Sequence, residues 1–243
     1  METPIALLSI RGLTLRYGGV TALNSLDLDV ARAGVAGLIG PNGAGKTSLL
    51  NVITGVAGPH DGTIIFAGES IKREATHHIA RRGIARTYQH IRLFANLSIW
   101  ENVSSGVFAH PRRFTHADAS AAIERVGMSE RDLSRRAGTL PYGEQRRLEI
   151  ARALAMQPTL LLLDEPAAGM NPQETADLAA LIDNIAADGT SVLLIEHDMT
   201  LVRSVCRHVT VLNFGAVIAR GDCEDVMADP TVIEAYLGAH RER

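Results

Sequence analysis

Apolar residues along the chain follow two spacings, short continuous runs and helical repeats, and the two alternate. The apolar runs fall at residues 35–39, 63–66, 84–88, 160–163, 191–195 and 209–212. Helical repeats fall at residues 45–55 and 173–187 and in a short tail around residues 230–237. Parallel strands that are buried on both faces and joined by crossover helices have this pattern. The sequence therefore predicts an α/β fold with a parallel-sheet core.

Two segments depart from this alternation. Residues 5–10 and 26–30 alternate apolar and polar positions on either side of Gly18-Gly19, which predicts an antiparallel β region within residues 5–35. Between residues 98 and 157 the apolar repeats are helical and no strand pattern is evident. We therefore predict one domain over residues 1–243. Its α/β core takes residues 1–97 and 158–243, and a helical lobe is inserted at residues 98–157.

A glycine-rich motif follows the predicted strand at residues 35–39 and opens the next helix. The string GPNGAGKT at residues 40–47 matches GxxxxGK[ST], whose backbone N–H groups surround phosphate oxygens at a helix N-terminus. Lys46 would reach the β- and γ-phosphates, and the Thr47 hydroxyl would bind Mg²⁺. A glycine-rich turn without a ligand would match by chance on the order of once in several hundred such sequences. The predicted phosphate site comprises Gly40, Pro41, Asn42, Gly43, Ala44, Gly45, Lys46, Thr47 and Ser48.

Two acidic residues follow the four leucines of the strand at residues 160–163. Neighbouring side chains at a strand end point in different directions, so Asp164 and Glu165 can do different work. Asp164 would hold Mg²⁺ through its water shell, and Glu165 would polarise the attacking water. His197 follows the strand at residues 191–195, and the C-terminal ends of parallel strands share one edge. We therefore expect His197 beside Asp164 and Gly40.

The composition argues against several classes of function. With 24 Lys+Arg, 27 Asp+Glu and a formal charge of -3, the chain lacks the basic balance of a nucleic-acid binder. No apolar stretch approaches the roughly 18 to 20 residues that cross a bilayer, and Glu2 with no basic residue before Arg11 does not suit a signal peptide. Cys206 and Cys223 have no metal-ligand spacing, so we expect both to be packing residues.

Arginine far outnumbers lysine among the basic residues. Only two are lysines, Lys46 and Lys72, which indicates that position 46 requires a compact ammonium rather than a guanidinium. Three arginine pairs, at residues 81–82, 135–136 and 146–147, are expected on the solvated surface rather than against a lipid or a partner.

Together with four further segments, these motifs resemble the ATP-binding subunit of an ABC transporter, a P-loop NTPase with a RecA-like core. Residues 140–154, LPYGEQRRLEIARAL, are similar to the family's signature and its helix. Residues 87–89 resemble the Q-loop, residues 168–171 the D-loop and residues 196–198 the switch-histidine loop. Tyr17 stands where the family stacks an aromatic ring on adenine.

The resemblance implies that two such subunits enclose two ATP molecules. Each ATP is then bound by the phosphate loop of one subunit and the signature of the other, here Pro141, Tyr142, Gly143 and Glu144. It also implies that Gln89 assists catalysis, joins Thr47 and Asp164 around Mg²⁺, and couples the metal to the helical lobe. The implied cofactors are ATP and Mg²⁺.

Within the family, the strings TYQHIRLF, DEPAAGMNP and VIEAYLG resemble the ATPase of branched-chain amino acid importers. The resemblance implies two transmembrane permeases, a second ATPase subunit that is more often different than identical, and an extracytoplasmic binding protein. It places the chain peripherally on the cytoplasmic face of the membrane, without a nucleic-acid partner. The alternatives are a lipopolysaccharide exporter, a urea or amide importer, and an ABC protein of translation or DNA repair.

Three features depart from the family pattern. Pro141 stands where family members usually carry serine, and proline supplies neither a hydroxyl nor a backbone donor. We expect the composite ATP site that receives this signature to be weaker. Asn171 stands where the D-loop commonly ends in aspartate, and the lobe between Glu101 and Thr139 is shorter than this branch leads us to expect.

Overall fold

A computed structural model describes residues 6–58, 60–107 and 115–238 of the chain. These residues form two sheets. The first is antiparallel, in the order β2-β1-β4-β5, and the second has six strands, in the order β10-β9-β3-β8-β7-β6. The strands are β1 Leu8–Tyr17, β2 Val20–Val30, β3 Val35–Ile39, β4 Asp61–Phe66, β5 Glu69–Ser70, β6 Ile84–Arg86, β7 Leu160–Asp164, β8 Ser191–Ile195, β9 His208–Asn213 and β10 Ala216–Asp222.

The six-stranded sheet sets the position of the site. β3 pairs in parallel with both β8 and β9, and β7 pairs in parallel with β8 and β6. Every residue of β7 and β8 is buried, as expected for strands covered on both faces. The C-terminal ends of β3, β7, β8 and β9 therefore reach one edge of the sheet. Ligands of open α/β sheets bind at this edge.

The helices are α1 Lys46–Ile53, α2 Thr76–Arg81, α3 Ile99–Val107, α4 His116–Arg125, α5 Tyr142–Leu154, α6 Pro172–Ala187, α7 Met199–Val205, α8 Cys223–Met227 and α9 Pro230–Gly238. Between β6 and β7 the described residues form α3, α4, α5 and two short 3-10 turns, with no strand of either sheet. Apolar side chains of α3 and α5 pack in the same core as β7 and β8. No helix in the described part of the chain is long and apolar enough to span a membrane.

The predicted α/β class, the parallel core and the N-terminal antiparallel region are confirmed. The prediction missed β5, β10, α2, α7 and α8, because short helices and half-buried edge strands carry little periodic signal. β1 also runs further than expected, from Leu8 to Tyr17. Both cysteines are buried, as predicted, and burial raises the pKa of the Cys206 thiol to about 12. The prediction that Arg146 is a surface residue is wrong, because its side chain is fully buried.

Candidate functional site

The phosphate loop connects β3 to α1 through three glycines in left-handed backbone, two of them in tight contact. A Cβ at Gly40, whose φ is 150°, would collide with the Leu212 carbonyl oxygen. A Cβ at Gly45, whose φ is 105°, would lie 2.6 Å from the Ala22 carbonyl oxygen. No side chain caps the N-terminus of α1, so its first N–H groups and positive dipole end are available to an anion.

Lys46 begins α1 and turns back over the loop. Its Nζ donates hydrogen bonds to the carbonyl oxygens of Gly40, at 2.7 Å, and Pro41, at 3.0 Å. Burial lowers the pKa of the Lys46 ammonium, while the carboxylates of Glu165 and Asp164 oppose that shift. Thr47, in the first turn of the same helix, is exposed beside it. The loop therefore presents an ammonium, a hydroxyl and free N–H groups at one place.

Asp164 ends β7 and forms a buried ion pair that the sequence did not reveal. The Arg86 Nη2 donates to Asp164 Oδ2 at 2.8 Å, and Nη1 of the same guanidinium donates to Asn51 Oδ1 at 2.7 Å. Arg86 closes β6 and Asn51 lies on α1. Arg86 thus links the end of β6, which precedes Gln89, to α1 and to the end of β7.

Glu165 is the centre of a polar cluster. Its backbone φ of 47° is unusual for a residue with a side chain, and such conformations concentrate at functional sites. The Gln89 Nε2 donates to Glu165 Oε2 at 2.8 Å, and the Nδ1 of His197 lies 3.6 Å from the same oxygen. The three side chains that the sequence singled out are therefore brought together, with half of the His197 ring open to solvent.

Glu196 is a second residue whose importance appears only in the structure. Its fully buried carboxylate accepts the N–H of Ala167 at Oε1 and the N–H groups of His197 and Asp198 at Oε2. Burial raises the pKa of Glu196, and the three backbone hydrogen bonds hold that rise back. Glu196 thereby ties the histidine loop to the segment after Glu165.

The signature residues Pro141, Tyr142, Gly143 and Glu144 lie at the start of α5, and three of them line a cavity there with Gly127 and Glu174. Within residues 6–58, 60–107 and 115–238, no hydrogen bond or ion pair joins them to the phosphate loop. Further along α5, the buried Arg146 donates to the carbonyl oxygens of Tyr88 and Gln89 and to Glu149 Oε2. The signature helix therefore holds the backbone of the segment that carries Gln89.

Three further residues complete the description of the site. Tyr17 ends β1 with half of its side chain exposed. Asn171 caps α6 in a capping box with Glu174, a role in which asparagine equals aspartate. Tyr236 of α9 was not predicted. Burial raises the pKa of its hydroxyl to about 12.

A family model described as ABC transporter matches residues 23–168, which is more than half of the chain. The chain belongs to the ABC transporter ATPases. A second model, described as branched-chain amino acid ATP-binding cassette transporter, matches residues 216–242. The ATP-binding fold and the class of enzyme, an ATP hydrolase, are those predicted.

Curated relatives and solved structures agree with this family. The chain is 44% identical to the high-affinity branched-chain amino acid transport ATP-binding protein BraF of Pseudomonas aeruginosa, covering 98% of this chain and 99% of that protein. It is 41% identical to LivG of Escherichia coli, covering 96% and 98%. The ADP conformation of the ABC cassette MJ1267 superposes with a TM-score of 0.88 at 28% identity, covering 96% of this chain and 99% of that one.

These findings confirm the predicted resemblance, that of a transporter ATPase of the branched-chain amino acid type. They do not favour the exporter, urea importer or non-transport alternatives.

Proposed function

We propose that this ABC ATPase hydrolyses ATP to drive import of branched-chain or other hydrophobic amino acids. The observation that carries the proposal is the cluster of Glu165, Gln89 and His197 at the sheet edge that holds the phosphate loop. The high-affinity branched-chain amino acid transport proteins that are over 40% identical to the chain support the choice of substrate. We further propose that residues 1–243 act as one nucleotide-binding domain, with residues 98–157 as its signature lobe.

ATP would lie between two subunits. Its phosphates would replace the Gly40 and Pro41 carbonyl oxygens as partners of Lys46, and the loop N–H groups would bind their oxygens. Tyr17 would stack on the adenine. Residues 141–144, at the start of α5, would meet the γ-phosphate held by a second ATPase subunit.

Mg²⁺ suits the donors at this edge. The Thr47 hydroxyl, the Asp164 carboxylate and the Gln89 amide all offer oxygen, the ligand that Mg²⁺ prefers. The described residues contain no group of three or more His, Cys, Asp or Glu able to hold a metal, and a Mg²⁺ bound through phosphates and water needs none. When bound, the ion neutralises charge that develops on the phosphate oxygens.

Hydrolysis requires a base beside the γ-phosphate. Glu165 would accept a proton from water while the water oxygen bonds to the γ-phosphorus and the bond to the leaving ADP oxygen breaks. Gln89 holds the Glu165 carboxylate in position at 2.8 Å. His197 is close enough to Glu165, at 3.6 Å, to donate a hydrogen bond to the transferring phosphoryl group once ATP is bound.

Two permeases would dock on the side of α5 away from the signature. A cavity of about 520 Å³ there is lined by Tyr88, Arg92, Phe94 and Arg152 among others. Phe94 is half exposed, and the Arg92 guanidinium lies 4.0 Å from the centre of the Tyr88 ring. The lining combines arginine, aromatic and apolar side chains with the carboxylate of Glu149, and arginine, aromatic residues and methionine are enriched at protein interfaces. The chain would thus work peripherally, on the cytoplasmic face of the membrane, with a second and different ATPase subunit and an extracytoplasmic binding protein.

Transport by the reconstituted complex tests the proposal. The chain, its two permeases, the second ATPase and the binding protein are incorporated in vesicles, and uptake of labelled leucine, urea and an amide is measured with ATP. We expect ATP-dependent uptake of leucine above the other two. A complex that hydrolyses ATP yet moves urea, or lipopolysaccharide outward, would overturn the assignment of substrate.

A further inference from the structure

The turn between β9 and β10 contains an aromatic residue where local backbone geometry disfavours one. Asn213 pairs with Ala216, so Phe214 and Gly215 form a two-residue hairpin loop. Their φ angles, 45° and 77°, are both positive, as in a type I′ turn. Asparagine, aspartate and glycine are preferred at the first of these positions because a side chain strains the left-handed backbone. The backbone of Phe214 is therefore strained.

Packing of the Phe214 side chain against the described residues does not offset this backbone strain. The Phe214 side chain is 83% exposed, more than any other large apolar side chain among the described residues. An exposed aromatic residue in a strained turn gains nothing from the hydrophobic effect while it stays in water. A contact from outside the chain, with a ligand or with another protein, would bury the ring and offset the backbone strain.

The turn is fixed against the phosphate loop. The Gly215 N–H donates to the Ala44 carbonyl oxygen at 2.9 Å, and the Gly215 carbonyl oxygen accepts the Asn24 N–H at 2.9 Å. A Cβ on Gly215 would lie 2.6 Å from the Ala22 carbonyl oxygen. Phe214 thus stands on a rigid link between the phosphate loop and β2.

The same strand leads to Tyr17. Val20, which pairs with Tyr17, precedes Ala22 by two residues, or about 7 Å along the strand. Tyr17, Val20 and Phe214 are 50%, 67% and 83% exposed, so β1, β2 and the turn that is hydrogen-bonded to the phosphate loop each carry an exposed apolar side chain.

We propose that Phe214 contacts the base or ribose of the bound nucleotide, in addition to the aromatic ring of Tyr17. This inference rests on the proposed ATP site and adds a binding residue to it. A planar base offers a π-face that stacks on aromatic rings, so the contact would be insensitive to the base's hydrogen-bonding edge. A second protein subunit seated on Phe214 is the competing occupant.

The test uses Phe214→Asn, which suits the type I′ turn and removes the ring. Binding of ATP and of inorganic tripolyphosphate, each with Mg²⁺, is measured by calorimetry, together with the thermal unfolding midpoint. We expect a raised midpoint, ATP affinity weakened at least about fivefold, and unchanged tripolyphosphate affinity. Phe214→Trp should keep the ATP affinity. Val56→Asn, at a 55% exposed site outside the nucleotide site, serves as the control and should leave both affinities unchanged.

Each of the other outcomes would overturn a different part of the proposal. Unchanged ATP affinity in Phe214→Asn overturns the inference, and if assembly with the second ATPase is lost instead, Phe214 belongs to a subunit interface. An equal loss of ATP and tripolyphosphate affinity also overturns it, because the substitution then disturbs the loop. If the unchanged protein binds neither ligand, the proposed ATP site itself fails.

Discussion

Arg86 and Asp164 form an ion pair at 2.8 Å between side chains that are only 4% and 3% exposed. The pair lies where β6 and β7 end at the phosphate-loop edge, and the same guanidinium holds Asn51 on α1. A carboxylate this deeply buried stays charged only when a partner compensates it. Arg86 therefore compensates the buried charge of the Asp164 carboxylate and orients it at the proposed Mg²⁺ site.

Removing the Arg86 charge should lower the stability of the folded protein. Arg86→Met leaves Asp164 buried without a partner, and we expect the free energy of unfolding to fall by about 3 to 5 kcal/mol. Arg203→Ala, which breaks an exposed ion pair with Glu224, should cost less than about 1 kcal/mol. Urea unfolding of both variants checks this. Equal effects would show that the buried pair has no special role.

The buried Glu196 carboxyl should make stability depend on pH. Its folded pKa lies above the ordinary value of 4.5, so its contribution is complete below pH 4.5 and is lost as pH rises through the folded pKa. The unfolding free energy of the wild type minus that of Glu196→Gln should therefore decrease as pH rises above 4.5. Urea unfolding at several pH values measures this difference. A difference that is flat or rises with pH would contradict the burial of an ionisable Glu196.

Pro141 should limit the composite ATP site that receives this signature. Pro141 is the N-cap of α5 and makes no side-chain cap hydrogen bond, whereas serine is a favoured N-cap with a hydroxyl. Pro141→Ser in the assembled transporter should increase the turnover of ATP. The rate at saturating ATP is the measurement, and an unchanged rate would reject the hypothesis.

Local motifs are the part of the candidate site that can be recognised from the sequence. The phosphate loop is contiguous over residues 40–47, and Asp164 and Glu165 directly follow an apolar run, so strand and ligand residues could be recognised together. His197 was expected at this edge because parallel strands end together, and its Nδ1 lies 3.6 Å from Glu165 Oε2.

Contacts between distant segments could not be predicted in the same way. Arg86 and Asp164 are 78 residues apart, and the local sequence around neither residue indicates that they pair. Arg146 stands next to Arg147 in a charged helix, so it was assigned to the surface. Its burial depends on the carbonyl oxygens of Tyr88 and Gln89, more than 50 residues away. β10 was missed because an antiparallel edge strand is only half buried.

The ATPase activity of Glu165→Gln in the assembled transporter is the most direct test of the account. Glutamine keeps the size of the side chain but is a poor base, while Lys46 and the loop N–H groups still bind ATP. We predict that hydrolysis and leucine uptake both fall by about 10²- to 10⁴-fold, that ATP affinity is retained, and that Glu224→Gln behaves as wild type. Undiminished hydrolysis by Glu165→Gln would contradict the assignment of Glu165 as the base.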